Sequence, residues 1–185
     1  MKKHYPRFFV GLDLDKKAKL AIEQWRHKYL SGLSGKPVPV ENFHITLSFL
    51  GAVPPEKHEL LIQLLESISA HQFSTVTSQL GSFKKAKVLY LGVKNNPAID
   101  DLAFQCRKVN KHLNVPQHHS HFKPHITLFR KHDIHIPINA PKLDLTLHFE
   151  KIHLFESVSN AQMGKPPVYH KRRSFKLLPN IKAHS

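Results

Sequence analysis

His44-Ile45-Thr46-Leu47 recurs as His125-Ile126-Thr127-Leu128, and in both places the surrounding residues read as a β-strand. Side chains two residues apart in a strand share a face. Each copy therefore presents an imidazole and a hydroxyl to one side, ~7 Å apart along the backbone at ~3.3 Å per residue, and anchors itself with aliphatics on the other. Two such strands facing one cleft bring two titratable rings and two hydroxyls around a single phosphate. Arg130, just past the second copy, shares by simple alternation the face of Leu128 rather than that of His125. That parity holds unless the strand ends or twists there, and in either case Arg130 can supply a cation at the strand end.

Outward from these phrases, strands and helices interleave. Arg7 to Asp13 reads as a strand leading into a helix from Asp15, with Ala18, Ala21, Ile22, Trp25 and Tyr29 on one stripe. The Gly- and Pro-rich Ser31 to Pro39 ends it, and Asn42 to Leu50 is the first motif strand, closed by Gly51. Pro54-Pro55 starts a second helix with Leu60, Leu61, Leu64, Leu65 and Ile68 as its apolar face. Thr75 to Phe83 and Val88 to Lys94 are strands around the basic turn Lys84-Lys85-Ala86-Lys87. Ile99, Leu102, Ala103, Cys106, Val109 and Leu113 define a third helix, and Phe122 to Phe129 is the second motif strand. Leu143 to Phe149, Lys151 to Ser157 and Val168 to Leu178 complete a β-rich C-terminal part. Short turns between strands favour antiparallel pairing with helices on one face. The expected class is α+β: residues 1–185 as one catalytic domain of two pseudo-symmetric lobes, antiparallel sheets lining a central cleft and helices packed outside.

Composition bounds the partners. Lys and Arg number 28 against 13 Asp and Glu, a formal charge of +15 with sixteen His neutral. Such a surface attracts polyanions and speeds their encounter in a salt-dependent way. No stretch approaches the ~20 apolar residues of a membrane span, and the apolar run Phe8 to Leu12 is too short for a signal peptide core and is followed by Asp13. The single cysteine, Cys106, cannot form an internal disulfide. A soluble, cytoplasmic, monomeric protein is expected.

Hydrolysing a phosphodiester with side chains alone takes a base for the attacking oxygen and an acid for the leaving oxygen. Imidazole serves as either near neutral pH, each proton transfer being worth about 10²–10⁴-fold. The Thr46 and Thr127 hydroxyls can donate to the non-bridging oxygens where charge develops. Spacing alone does not say which ring is acid and which is base.

Three extended segments carry a family resemblance. Arg7-Phe8-Phe9-Val10-Gly11-Leu12, Glu41 to Gly51 (ENFHITLSFLG) and Phe122 to Arg130 (FKPHITLFR) resemble the opening strand and the two motifs of the two-histidine phosphoesterase superfamily, within it the RNA 2′,3′-cyclic phosphodiesterase family, historically called 2′,5′ RNA ligases. Leu154-Phe155-Glu156-Ser157 and Tyr169 are similar as well. The chain departs from the family at Gly11 to Asp15, where a proline often follows the first strand. The resemblance implies a bilobal α+β fold without metal or cofactor. It also implies hydrolysis of an RNA 2′,3′-cyclic phosphate to a 2′-phosphomonoester, with 2′,5′ ligation as the reverse reaction. It makes His44 the proton donor to the leaving 3′ oxygen and His125 the proton acceptor that activates water. Thr46 and Thr127 then hold the phosphate, with Arg130 as helper. The implied partner is RNA ending in the cyclic phosphate, tRNA fragments among the options, or a small cyclic nucleotide.

Two other readings compete. His118-His119-Ser120-His121, with His112 and His125, offers imidazoles to zinc but no accompanying carboxylate or thiolate. A non-catalytic RNA-binding module would instead use the cleft, the turn Lys84, Lys85, Lys87 and the tail cations Lys171, Arg172, Arg173, Lys176.

Overall fold

A computed structural model describes residues 5–115, 121–133, 135–137, 139–160 and 163–180. Its strands are β1 (Arg7–Asp13), β2 (Lys36–Pro37), β3 (His44–Ala52), β4 (Phe73–Phe83), β5 (Val88–Val93), β6 (His125–Arg130), β7 (Thr146–Phe149), β8 (Lys151–Val158) and β9 (Val168–Lys176). Among the described residues three α-helices interrupt them: α1 (Lys16–Leu30), α2 (His58–Glu66) and α3 (Pro97–His112).

Local chemistry sets the helix starts. Asp15 caps α1 by accepting the Ala18 N–H at 2.7 Å, and Asn96 caps α3 by accepting that of Ile99 at 3.0 Å, with Pro97 in the first turn. The expected face of α3 is wholly buried. On α1 the stripe follows the i+4 row Ala18, Ile22, Arg26, Leu30, so Tyr29 turns outward and Arg26 goes in. Pro54-Pro55 leads into a 3₁₀ turn at Pro55–Lys57, and α2 begins only at His58, burying Leu61 and Leu65 while Leu60 stays exposed. The Gly/Pro stretch after α1 contains β2, which pairs with β6.

All named strands pair antiparallel, in the order β7-β4-β5-β6-β3-β1-β8-β9 with β2 beside β6. The sheets expected from sequence are thus one open sheet. Its halves meet between β3 and β6 at a single registered position among the described residues, Ile45 opposite Ile126. Both isoleucines are fully buried and share one core with Ile22 of α1 and Leu102 of α3. The histidines lie on the other face.

The helices cross over. Arg26 of α1 donates to the Leu128 carbonyl of β6 at 2.9 Å, whereas Asn110 of α3 donates to the Phe49 carbonyl of β3 at 2.7 Å. β1-α1-β3 and β5-α3-β6 are therefore matching units, each sending its helix beneath the other's motif strand. No helix among the described residues is long and apolar enough to cross a membrane.

Candidate active site

Register decides what the repeat brings together. With Ile45 opposite Ile126 in an antiparallel pair, one step either way sets His44 across from Thr127 and Thr46 across from His125. The two histidines are then diagonal neighbours, a relation that places Cβ atoms up to ~7–8 Å apart. All four side chains are half-buried, so none lies behind the hydrophobic layer.

The rings are held alike. His44 Nδ1–H donates to the Asn42 carbonyl and His125 Nδ1–H to that of Lys123, each two residues back and each at 2.7 Å. This fixes the tautomer and leaves chemistry to Nε2. In His44, Nε2 accepts from the Thr46 hydroxyl at 2.8 Å. Asn42 in turn donates its amide to the Pro167 carbonyl at 2.8 Å, tying the approach to β9 to the first histidine.

Their surroundings differ. His44 packs against Phe9 with ring centres 4.8 Å apart, Tyr169 at 5.3 Å and Phe155 at 6.0 Å. Burial in this wall is the largest influence on its proton affinity and lowers it. The Asn42 carbonyl and Asp13 favour the charged ring, while Arg130 and His125 add to the lowering, and the net result is a pKa of about 4. Gly11 makes the packing possible, since a Cβ there would lie 2.9 Å from the Ile45 carbonyl oxygen and 3.5 Å from both the His44 and Phe155 rings. His125 is flanked by Phe83 at 4.9 Å and Tyr90 at 5.2 Å. Across from His44 stands Asp13, and across from His125 stands Gly92. Burial works to raise the Asp13 pKa, but hydrogen bonds and charge from Lys171 and Lys19 prevail and lower it, so it remains a carboxylate.

Simple alternation fails beyond the motif. The register β1–β3 leaves Leu47 as an extra residue between Ser48 (opposite Val10) and Thr46 (opposite Gly11). The register β5–β6 leaves Leu128 extra between Phe129 (opposite Leu89) and Thr127 (opposite Tyr90). The last residue of each tetrapeptide is thus a β-bulge, which swaps the faces of the residues after it. Phe129 turns to the core, its ring 5.6 Å from the Arg26 guanidinium, and Arg130 joins the face of His125 and Thr127. The parity expected for Arg130 is corrected by this bulge. Arg26 and Asn110 serve the irregular backbone from below: Arg26 also donates to the Val38 carbonyl at 2.6 Å, and Asn110 accepts from the Ser48 hydroxyl at 3.0 Å. Pattern reading missed Arg26, although a cation on the i+4 row between Ile22 and Leu30 was a usable signal.

Three members of the alternative zinc cluster, His118, His119 and Ser120, lie outside the described residues. Among the described residues, no three His, Cys, Asp or Glu converge as a ligand set. The tail cations divide. Arg172 pairs with Glu156 and Arg173 with Glu66 at 2.8 Å, while Lys171 pairs with Asp13.

The chain is similar to known phosphodiesterases. Residues 12–90 match the family described as LigT like phosphoesterase. The RNA 2′,3′-cyclic phosphodiesterase of Escherichia coli K12 is 29% identical over 152 residues, covering 82% of this chain and 86% of its own. That of Archaeoglobus fulgidus is 33% identical over 128 residues, covering 67% of this chain and 72% of its own. The crystal structure of E. coli LigT complexed with 3′-AMP superposes with a TM-score of 0.85 at 27% identity, over 94% of this chain and 99% of that one. With a third of the aligned residues identical to the Archaeoglobus fulgidus enzyme over most of its length, and nearly the whole fold shared with E. coli LigT, the chain belongs to the LigT-like RNA 2′,3′-cyclic phosphodiesterase family.

Proposed function

We propose that the protein hydrolyses an RNA 2′,3′-cyclic phosphate to a 2′-phosphomonoester by acid–base catalysis between His44 and His125, with no metal in the reaction. The observation that carries this is the register: two rings of one tautomer, on one face, diagonal across the β3–β6 seam. His125 takes the proton of the attacking water as oxygen bonds to phosphorus, the P–O3′ bond breaks, and His44 gives its proton to the 3′ oxygen. Thr46 and Thr127 donate to the non-bridging oxygens, and Arg130 balances the developing charge. The complex of the E. coli relative with 3′-AMP supports a nucleotide as the kind of ligand taken. With a 5′-hydroxyl in place of water, the same transfers make a 2′,5′ linkage: the 5′ oxygen bonds to phosphorus as His125 takes its proton, and the P–O3′ bond breaks as His44 protonates the 3′ oxygen. We read the two halves of the sheet as lobes of one monomeric catalytic domain acting in the cytoplasm, tRNA fragments or small cyclic nucleotides being substrates of suitable chemistry.

The test is turnover of a short oligonucleotide ending in a 2′,3′-cyclic phosphate, with excess chelator and without. The expected product is the 2′-phosphate, formed at equal rates in both. A 3′-phosphate product, an unchanged end, or loss of activity on chelation restored by zinc would overturn the proposal.

A further inference from the structure

Beyond His44, the sheet face continues across β1 onto β8 and β9. Gly11 pairs with Thr46 on one side and His153 on the other, so with strands ~4.8 Å apart the His153 backbone stands about 10 Å from that of Thr46, and the His44 and Phe155 rings close over the glycine between them. On this same face β8 presents Lys151, His153 and Phe155, each paired in turn with Lys176, Ser174 and Lys171 of β9. The opposite face carries Ile152 and Leu154 into the core.

Lys151 and Lys176 face each other directly across the ladder. Like charges so placed are destabilising, and neither belongs to an ion pair among the described residues. The nearby carboxylate of Asp13 is already held by Lys19 and Lys171. His153, bonded through Nδ1 to the Ser174 hydroxyl at 2.8 Å, adds donors without adding a charge at neutral pH. Its proton affinity is depressed to about 4, first by burial and then by Lys171, with Lys151 and Lys19 adding to the lowering against Asp13. The ladder is thus an anion seat aligned with the catalytic face. The basic turn Lys84-Lys85-Ala86-Lys87 differs, being an exposed hairpin tip rather than a strand face.

We propose that the β8–β9 face, through Lys151, Lys176, His153 and Ser174, binds the phosphodiester upstream of the terminal nucleotide, which makes the preferred substrate a single-stranded oligonucleotide rather than a mononucleotide. The inference rests on the reading of the site as one for RNA ends. It fixes the direction in which the strand leaves the cleft.

Binding tests it apart from catalysis. The probe is a fluorescein-labelled single-stranded RNA ending in a 2′-phosphate, followed by anisotropy between about 50 and 200 mM salt, with a nucleoside 2′-monophosphate as competitor. Lys151→Ala/Lys176→Ala is expected to weaken RNA about five- to tenfold more than mononucleotide, and to flatten the log–log salt slope by about 0.7 for each phosphate no longer neutralised. Lys84→Ala/Lys85→Ala is expected to change that ratio less than twofold. An unchanged ratio in the first variant, or the larger loss in the second, overturns the assignment. Failure of the parent protein to open a cyclic phosphate while the binding pattern holds would instead count against the proposed reaction alone.

Discussion

The two imidazoles share a tautomer but not an environment, and the proposed division of acid and base between them has to work through this difference. His44 sits in an aromatic wall with its proton affinity depressed to about 4, so its protonated fraction in the free protein falls tenfold per pH unit above that value. An acid must carry its proton when the leaving oxygen departs. An anion within ~4–6 Å favours the charged ring and raises such a pKa, so under the proposed mechanism the substrate itself recruits the proton. Sulfate, which does not titrate in this range, is therefore expected to bind more weakly as pH rises from 5 to 8, with uptake of a proton shown by buffer-dependent heats. His44→Gln removes the uptake. Arg130→Gln acts on both sides of the balance: losing a cation raises the His44 pKa, visible in the ring's NMR titration, yet weakens sulfate about tenfold. On a cyclic phosphate, His44→Ala or His125→Ala is expected to lower kcat by about 10²–10⁴-fold, checked by single-turnover assay beside circular dichroism to confirm the fold.

At the scale of the element, the bulges decide which side chains reach the site. The pattern of apolar residues made both motif strands and the face of α3 legible, because a buried stripe must repeat with the period of its backbone. It could not show Leu47 and Leu128 stepping out of register, for neither carries a Gly or Pro that marks the break, and Leu-Ser-Phe and Leu-Phe-Arg read equally well as unbroken alternation. For the partners of the bulged backbone the limit is related: the row Ala18, Ile22, Arg26, Leu30 could mark Arg26 as inward-facing, but the acceptors of Arg26 and Asn110 are distant carbonyls that only the sheet order brings near. Removing such a partner leaves buried backbone without its donor. Asn110→Leu should cost about 1–3 kcal/mol in urea unfolding, with Arg26→Met costing at least as much. Gly11→Ala should act on the reaction more than on the fold, since its Cβ meets the Ile45 carbonyl and the His44 ring. Its expected signature is a fall in kcat with stability lowered by about 1–3 kcal/mol.

Across the whole molecule, two matching β-α-β units exchange helices and meet at one pair of isoleucines among the described residues, so the geometry of the candidate site depends on packing between sequence-distant parts. The repeat announced the duplication; the order of the flanking strands, with β8 and β9 returning from the C-terminus to extend the first unit, is a long-range pairing that no local pattern encodes. One consequence is a shared sensitivity to acid. His44 on β3 and His153 on β8 flank β1 and are both neutral when folded, with pKa values of about 4 against 6.5 for an unperturbed ring. Between those values the unfolded chain binds more protons than the folded one, so stability is whole above pH 6.5 and falls as pH drops toward 4. For His44 the loss across that window approaches about 3 kcal/mol at ~1.4 kcal/mol per unit, and for the more exposed His153 it is smaller. Urea midpoints at pH 7 and pH 5 measure it. His44→Gln/His153→Gln should bring the two midpoints closer together by removing these protonation sites, whereas an unchanged gap would place the acid sensitivity elsewhere in the molecule.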